Sequence, residues 1–162
     1  MTSGRRKPVF RKRKLAREYT LQALYQHLLT GTPVDELCGQ FVPILGTSGA
    51  DEHYFQEIIQ YTVDKGDELR LRIEPCLNRS CSNLDPVEHA VILIALYELL
   101  NRVDIPFRVV LNEAIDLEKK FGHPKGHTYV NGVLDCLARK YRRGEIGLRS
   151  GGHGGGKEDG PQ

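Results

Sequence analysis

Between Asp85 and Leu100 the chain reads Asp-Pro-Val-Glu-His-Ala-Val-Ile-Leu-Ile-Ala-Leu-Tyr-Glu-Leu-Leu. Asp85 is a good helix N-cap, Pro86 suits the first helical position, and Glu88 lies three residues on, a capping-box arrangement. The helix that follows, Ala90 to Leu100, is apolar nearly all round. Such a helix must be covered on every side, so the rest of the chain has to wrap it. The apolar run Ala90 to Tyr97 is far shorter than the ~18–20 residues a membrane span needs, and no other run is longer.

The flanking sequence supplies the wrapping. Leu21, Leu24, Tyr25 and Leu28 recur at i, i+3, i+4, i+7 and share one helix face, with Gly31 as a C-terminal stop. Thr32 and Pro33 read as N-cap and first residue of a second helix. Its stripe is Val34, Leu37, Cys38 and Phe41, ending near Pro43, and Leu45 to Ala50 reads as a loop. Asp51 caps a third helix with Phe55, Ile58, Ile59 and Thr62 inward. That helix runs on past Gly66 through Leu69 and Ile73 to Pro75. After the central helix, Pro106 opens another with Phe107, Val110, Leu111, Ala114, Leu117 and Phe121 towards the core. Gly122 to Gly126 breaks it. A last helix carries Val130, Val133, Leu134 and Leu137 and ends in Arg139, Lys140, Arg142 and Arg143, cations that suit the negative end of the dipole. No alternating strand pattern competes. The expected fold is all-α, a compact bundle of about six or seven helices.

Charge divides the chain differently. The 162 residues carry a net charge of only +2. Yet residues 1–17 hold eight cations and no acid, leaving 15 basic against 21 acidic residues in the remainder. The sequence therefore reads as a flexible basic arm over residues 1–13, a helical domain over 14–148 and a disordered glycine-rich tail over 149–162. His153 in that tail reads as solvated. The arm has no apolar segment behind it, which argues against a secretory signal and for a cytoplasmic location. In that compartment Cys38, Cys76, Cys81 and Cys136, which form no CxxC pair, are expected as free thiols, Cys38 as a small core residue. A dense run of cations just before a helix points to nucleic acid, where each Lys or Arg paired with a phosphate releases counterions.

No residue pattern points to catalysis, and no catalytic, cofactor or metal site is expected. There is no Walker loop, GxGxxG, HExxH or nucleophile elbow. His123 and His127 have i, i+4 spacing, but Pro124 and Gly126 lie between them, so they read as loop histidines that cap or pack. Glu113, Asp116 and Glu118 read as a solvated charged face beside Lys119 and Lys120. Among Tyr19, Tyr25, Tyr97, Tyr129 and Tyr141, most read as core. Tyr129 stands apart because it opens a helix after a glycine-rich break, where a ring can face solvent and stack on an unpaired base.

Taken in order, these motifs resemble NusB-type transcription antitermination factors. Ala16-Arg17-Glu18 with Leu21-Gln22-Ala23-Leu24-Tyr25 is similar to the first helix of that family. Leu84-Asp85-Pro86-Val87-Glu88 running into Ile94-Ala95-Leu96-Tyr97-Glu98-Leu99 is similar to its central helix. Asp104-Ile105-Pro106-Phe107-Arg108-Val109-Val110-Leu111-Asn112-Glu113-Ala114 is similar to the next, and Lys119-Lys120-Phe121-Gly122 with Tyr129-Val130-Asn131-Gly132-Val133-Leu134-Asp135 completes the pattern. The blocks cover roughly residues 13 to 141.

The resemblance implies a NusB fold in two helical halves. It implies binding to the boxA segment of nascent RNA with the ribosomal protein NusE. Other Nus factors and RNA polymerase would then join in antitermination on ribosomal RNA operons. By position, the RNA surface would include Arg13, Lys14 and Arg17 with Tyr129, and the NusE-facing surface Tyr25 and Glu88, while Arg11 and Lys12 of the basic arm are expected RNA contacts from its charge. Asn112, Glu113, Asn131 and Gly132 belong to the motif with either a packing or a contact role. Lys125 departs from the pattern, in a loop where better-known members are often acidic, and is a further expected RNA contact. The alternative is a NusB-like domain serving RNA processing or modification, as at the N-terminus of rRNA cytosine methyltransferases. Only about twenty residues follow the last motif, too few for a catalytic domain. A helical adaptor whose basic arm is incidental is a third reading. The sequence leaves homodimerisation open.

Overall fold

The structure, a computed structural model, describes residues 6–78 and 80–150, with side chains described from 9 to 147 apart from 79. Among the described residues there are eight α-helices and no strand: α1 (Arg6–Thr30), α2 (Val34–Ser48), α3 (Glu52–Asp64), α4 (Gly66–Ile73), α5 (Pro86–Asn101), α6 (Phe107–Phe121), α7 (Gly126–Tyr141) and α8 (Arg143–Ser150). Two 3₁₀ turns, Glu74–Cys76 and Cys81–Asn83, join α4 to α5. No helix of the described residues is long and apolar enough to cross a membrane.

The apolar stretch is the centre, as its sequence requires. Every residue from Ala90 to Leu99 is buried. Asp85 Oδ1 accepts from Val87 N at 2.8 Å and Glu88 N at 3.4 Å, which satisfies two of the free amides at the start of α5. Helices α1, α3, α6 and α7 all pack on α5, and α2 packs against α1 and α3. Asp51 caps α3 through Tyr54 N at 3.0 Å.

Several boundaries differ from the sequence reading. Residues 6–13, expected as a flexible arm, form the first turns of α1, while residues 1–5 lie outside the described residues. Helix α2 continues through Pro43 to Ser48 where a loop was expected. The proline deletes one donor, but the carbonyl it leaves, on Gly39, is on an exposed part of the helix, and the added turn buries Leu45 completely. Gly49, at φ 76°, then takes the left-handed C-cap conformation. The last expected helix, read as ending at Arg143, stops at Tyr141; a split at Arg142 separates it from α8, a further helix that was not expected, and the tail from residue 151 on, His153 included, lies outside the described residues.

The split has a cause. Arg142 turns inward, only 6% exposed, and donates to the carbonyls of Leu99 (2.8 Å), Glu98 (3.1 Å), Arg102 (2.8 Å) and Ile105 (2.9 Å). It thereby caps the C-terminal end of α5, whose last carbonyls have no partner within the helix. Glu145 completes the clasp. Its Oε2 takes Arg142 Nη1 at 2.7 Å and its Oε1 takes Phe107 N, the first amide of α6, at 2.9 Å.

The thiol expectation is corrected. Cys76 and Cys136 form a disulfide that joins the 3₁₀ turn after α4 to α7 across a sequence separation of 60. Such a pair has no local spacing signature, because folding alone makes it adjacent. Cys38 and Cys81 are free, Cys81 buried and Cys38 half-buried against the core.

Candidate nucleic-acid interface

A helix exposes successive residues about 100° apart, so the cations of α1 cannot share one environment. Arg11 and Lys12 are exposed, Arg13 and Lys14 half-buried, and Arg17 is 2% exposed. Arg13 lies over the Tyr54 ring at 5.3 Å. Lys14 reaches Asp116 of α6 at 3.8 Å, and Glu18 reaches Lys120 at 2.8 Å. The two pairs advance together along both helices, so α1 and α6 run parallel.

Arg17 is not a surface residue, which removes it from the expected RNA contacts. Its Nε and Nη2 donate to Glu98 Oε1 and Oε2, both at 2.9 Å, in the two-pronged geometry that a guanidinium offers a carboxylate. The Tyr54 hydroxyl donates to Glu98 Oε2 at 2.6 Å, and Arg17 Nη1 lies 3.8 Å from Glu113 Oε2. Burial opposes the guanidinium's charge, but the Glu98 bridge and the carboxylates around it outweigh that and hold its pKa above the usual range. Burial, and then the Glu98 charge, push the Tyr54 phenol up. The cluster binds α1, α3, α5 and α6 to one another.

The carboxylates expected on a solvated face divide as well. Asp116 is exposed, but Glu113 is 6% and Glu118 0% exposed. A charged helix face read from sequence takes no account of the helix α1 that lies across it. Burial raises the Glu113 carboxyl against the pull of Arg17 and Lys14. Neither oxygen of Glu118 has a hydrogen-bond partner among the described residues. It is wedged so tightly between Gly122 and Gly126 that a Cβ at either position would collide with its Oε1. Burial first, then the charges of Glu88 and Asp85, raise its pKa to about 7.

Glu88, expected on a partner surface, is 8% exposed and borders the same Glu118–Gly126 contact. Tyr25 is 41% exposed on the C-terminal half of α1 and free for contact. Lys125 is exposed at the N-cap of α7, and its amide donates to His123 Nδ1 at 3.2 Å. His127 Nδ1 lies 3.1 Å from the Pro124 carbonyl, so both histidines organise the turn. Tyr129 does not stand free in solvent. It is half-buried and lines a hollow of about 280 Å³ with Cys76, Asn78 and Gly132.

Arg11, Lys12, Arg13 and Lys14 therefore lie in the N-terminal half of α1, with Lys14 against Asp116 in the second half of α6. Lys125 and Tyr129 lie beyond the C-terminal end of α6, at the start of α7. The sequence reading passed over Phe10, 48% exposed beside these cations. Its signal was there to find: an aromatic residue, after Pro8 and Val9, between two groups of cations.

Comparison with known proteins agrees with this architecture. The NusB family model matches residues 14–139. The transcription antitermination protein NusB of Paraburkholderia phymatum is 45% identical over 130 residues, covering 80% of this chain and 90% of that protein. The NusB of Nitrosococcus oceani is 44% identical over 139 residues, covering 86% and 93%. Among solved structures, T. maritima NusB superposes with a TM-score of 0.72 at 24% identity, covering 83% of this chain and 96% of that one. A chain from a crystal structure of the antitermination factors NusB and NusE in complex with dsRNA superposes with a TM-score of 0.70 at 28% identity, covering 81% and 98%. With its helical order, its central apolar helix and these matches, the chain belongs to the NusB family of transcription antitermination proteins.

Proposed function

We propose that this chain binds the boxA segment of nascent ribosomal RNA jointly with NusE. With other Nus factors and RNA polymerase it would support antitermination on ribosomal RNA operons in the cytoplasm. The observation that carries the proposal is the outward display of Arg11 and Lys12 on α1, in a stretch of 17 residues with no acid, on the fold of a relative solved with NusE and RNA.

In this reading Arg11 and Lys12, flanked by Arg13 and Lys14, take RNA phosphates and release their counterions. Lys125 and Tyr129 make a second contact beyond the C-terminal end of α6. A cation there, at the positive end of the α7 dipole, gains from a phosphate beside it. Tyr25 and the exposed edge of Glu88 face NusE. Beyond residue 17 the chain has a net charge of −6, which favours a basic ribosomal protein as the partner. Arg17 positions α1 and touches no RNA.

A titration of the full chain with boxA-like and scrambled RNA, with and without NusE, at two salt concentrations, tests this. The expected result is tighter binding of boxA RNA when NusE is present, with affinity falling steeply with salt. Equal affinity for both RNAs in both settings would remove the boxA assignment.

A further inference from the structure

The first turns of α1 lie against the loop between α5 and α6 and leave a hollow of about 390 Å³. One wall is apolar: Val9 and Phe10 from α1 face Pro106 and Val109 from the start of α6. Val9 is 53% and Phe10 48% exposed, an unusual investment of apolar surface between two groups of cations. The floor is different in kind, because Arg13 and Arg17 line it and Asp104 stands at the rim. Arg13 Nε and Arg17 Nη1 are both buried, and neither has a hydrogen-bond acceptor among the described residues. The nearest carboxylate to Arg17 Nη1 is that of Glu113, at 3.8 Å, too far for a hydrogen bond. Glu98 and Glu113 balance Arg17, Asp104 stands beside Arg13, and both unpartnered nitrogens are closed off, so what the hollow offers a ligand is chiefly its apolar wall.

We infer that this hollow receives one unstacked nucleobase of single-stranded RNA, its ring against Phe10 and the apolar wall. This rests on the RNA-binding reading above and adds a base-binding site to it. A nucleobase matches the wall, because its flat face stacks on an aromatic ring. A peptide side chain with an apolar face would match the hollow alone. It would not account for Arg11 and Lys12, exposed on the next residues of the helix, which suit the phosphates on either side of an inserted base. The volume falls within the range of small aromatic ligand sites.

The test uses the full chain and a labelled single-stranded RNA, titrated at low and moderate salt. Phe10→Ala should weaken binding about ten-fold and leave the salt slope as in the wild type, because a stacking contact carries no charge. Phe10→Tyr should retain wild-type affinity. Lys12→Ala should lower the salt slope instead. A series of RNAs with a single abasic position, walked along the strand, probes the site with the protein unaltered. One abasic position should reproduce the ten-fold loss with the wild type and cause no further loss with Phe10→Ala.

Equal affinity of Phe10→Ala and wild type overturns the base site while leaving RNA binding standing, as does an abasic series without a sensitive position. A concentration-dependent mass in sedimentation that Phe10→Ala abolishes, with RNA affinity unchanged, would give the hollow to a second copy of the chain. No binding of any RNA by the wild type would remove the RNA reading itself, and the base site with it.

Discussion

Glu98 on α5 and Glu118 on α6 are equally sealed from water, 1% and 0% exposed, and they meet opposite surroundings. Glu98 accepts three hydrogen bonds, two from Arg17 and one from Tyr54. Glu118 accepts none from the described residues, looks towards Glu88, and is enclosed by two glycines whose lack of a side chain leaves just enough room for it. Burial alone therefore does not decide what an interior carboxylate does. A cation and a phenol turn one into a clamp among four helices, whereas a second carboxylate turns the other into a group that titrates near neutrality.

The largest effect is expected on the matched side. Arg17→Ala strands Glu98 in the interior with only Tyr54 to meet it, and takes from Glu113 the cation beside it. The loss should be about 3–5 kcal/mol in urea unfolding, with a melting point lower by roughly 10 °C. Replacing both partners, Arg17→Met with Glu98→Met, removes the unmatched charge and should recover most of that loss. A single variant within about 1 kcal/mol of wild type would show that water or rearrangement satisfies Glu98 and that the two sites differ less than their geometry implies.

The unmatched side gives a smaller effect with a distinctive pH dependence. The Glu118 carboxyl is raised to about 7 in the folded chain and returns to the ordinary carboxylate range on unfolding. Between those values the folded state holds the proton and the unfolded state does not. Stability must therefore fall as pH rises from about 4.5 through 7, by an amount on the order of 3 kcal/mol, and level off above. Glu118→Gln has no proton to lose. Its stability relative to wild type should grow across that window, from little difference near pH 5 to its maximum at about pH 8. Parallel pH profiles for the two proteins would mean that Glu118 keeps its proton, or its charge, at every pH between.

Both sites show where sequence reading stops. The helices were legible because each needs only local information: the 3.6-residue stripes, Asp51 and Asp85 as caps, the stop at Gly31, the apolar circumference of α5. Partners across the fold were not. Arg17 belonged by spacing to a cationic run, and only the parallel packing of α1 along α6 and across α5 separates it from Arg11 and Lys12. Glu113 and Glu118 looked solvated because their neighbours in sequence, Lys119 and Lys120, are. The Cys76–Cys136 bridge and the Arg142 clasp join residues 60 and about 40 positions apart, and no periodicity reports on them. Of the expected RNA-facing residues, the exposed ones (Arg11, Lys12 and Lys125) needed no partner to be located. Arg17 is buried and Tyr129 half-buried, and their burial depends on partners that spacing does not show.

The smallest effect on stability should come from the same helix as the largest. Arg11 and Lys12 sit one to two turns before Arg17 and differ from it only in which way α1 turns them. Replacing both with Ala removes two exposed cations, buries no charge and creates no cavity, so stability should stay within about 0.5 kcal/mol of wild type. RNA binding should respond in the opposite proportion. Removing one phosphate-bound cation lowers the slope of log affinity against log salt by about 0.7 for a single strand, so the double variant should flatten it by about 1.4. Arg17→Ala, measured at a temperature where it remains folded, should leave that slope at its wild-type value. Guanidinium groups of identical chemistry would then separate completely, one into folding and the other into RNA binding. If Arg17→Ala flattened the slope as much as the double variant does, Arg17 would have to leave Glu98 when RNA binds, and its burial would describe only the free protein.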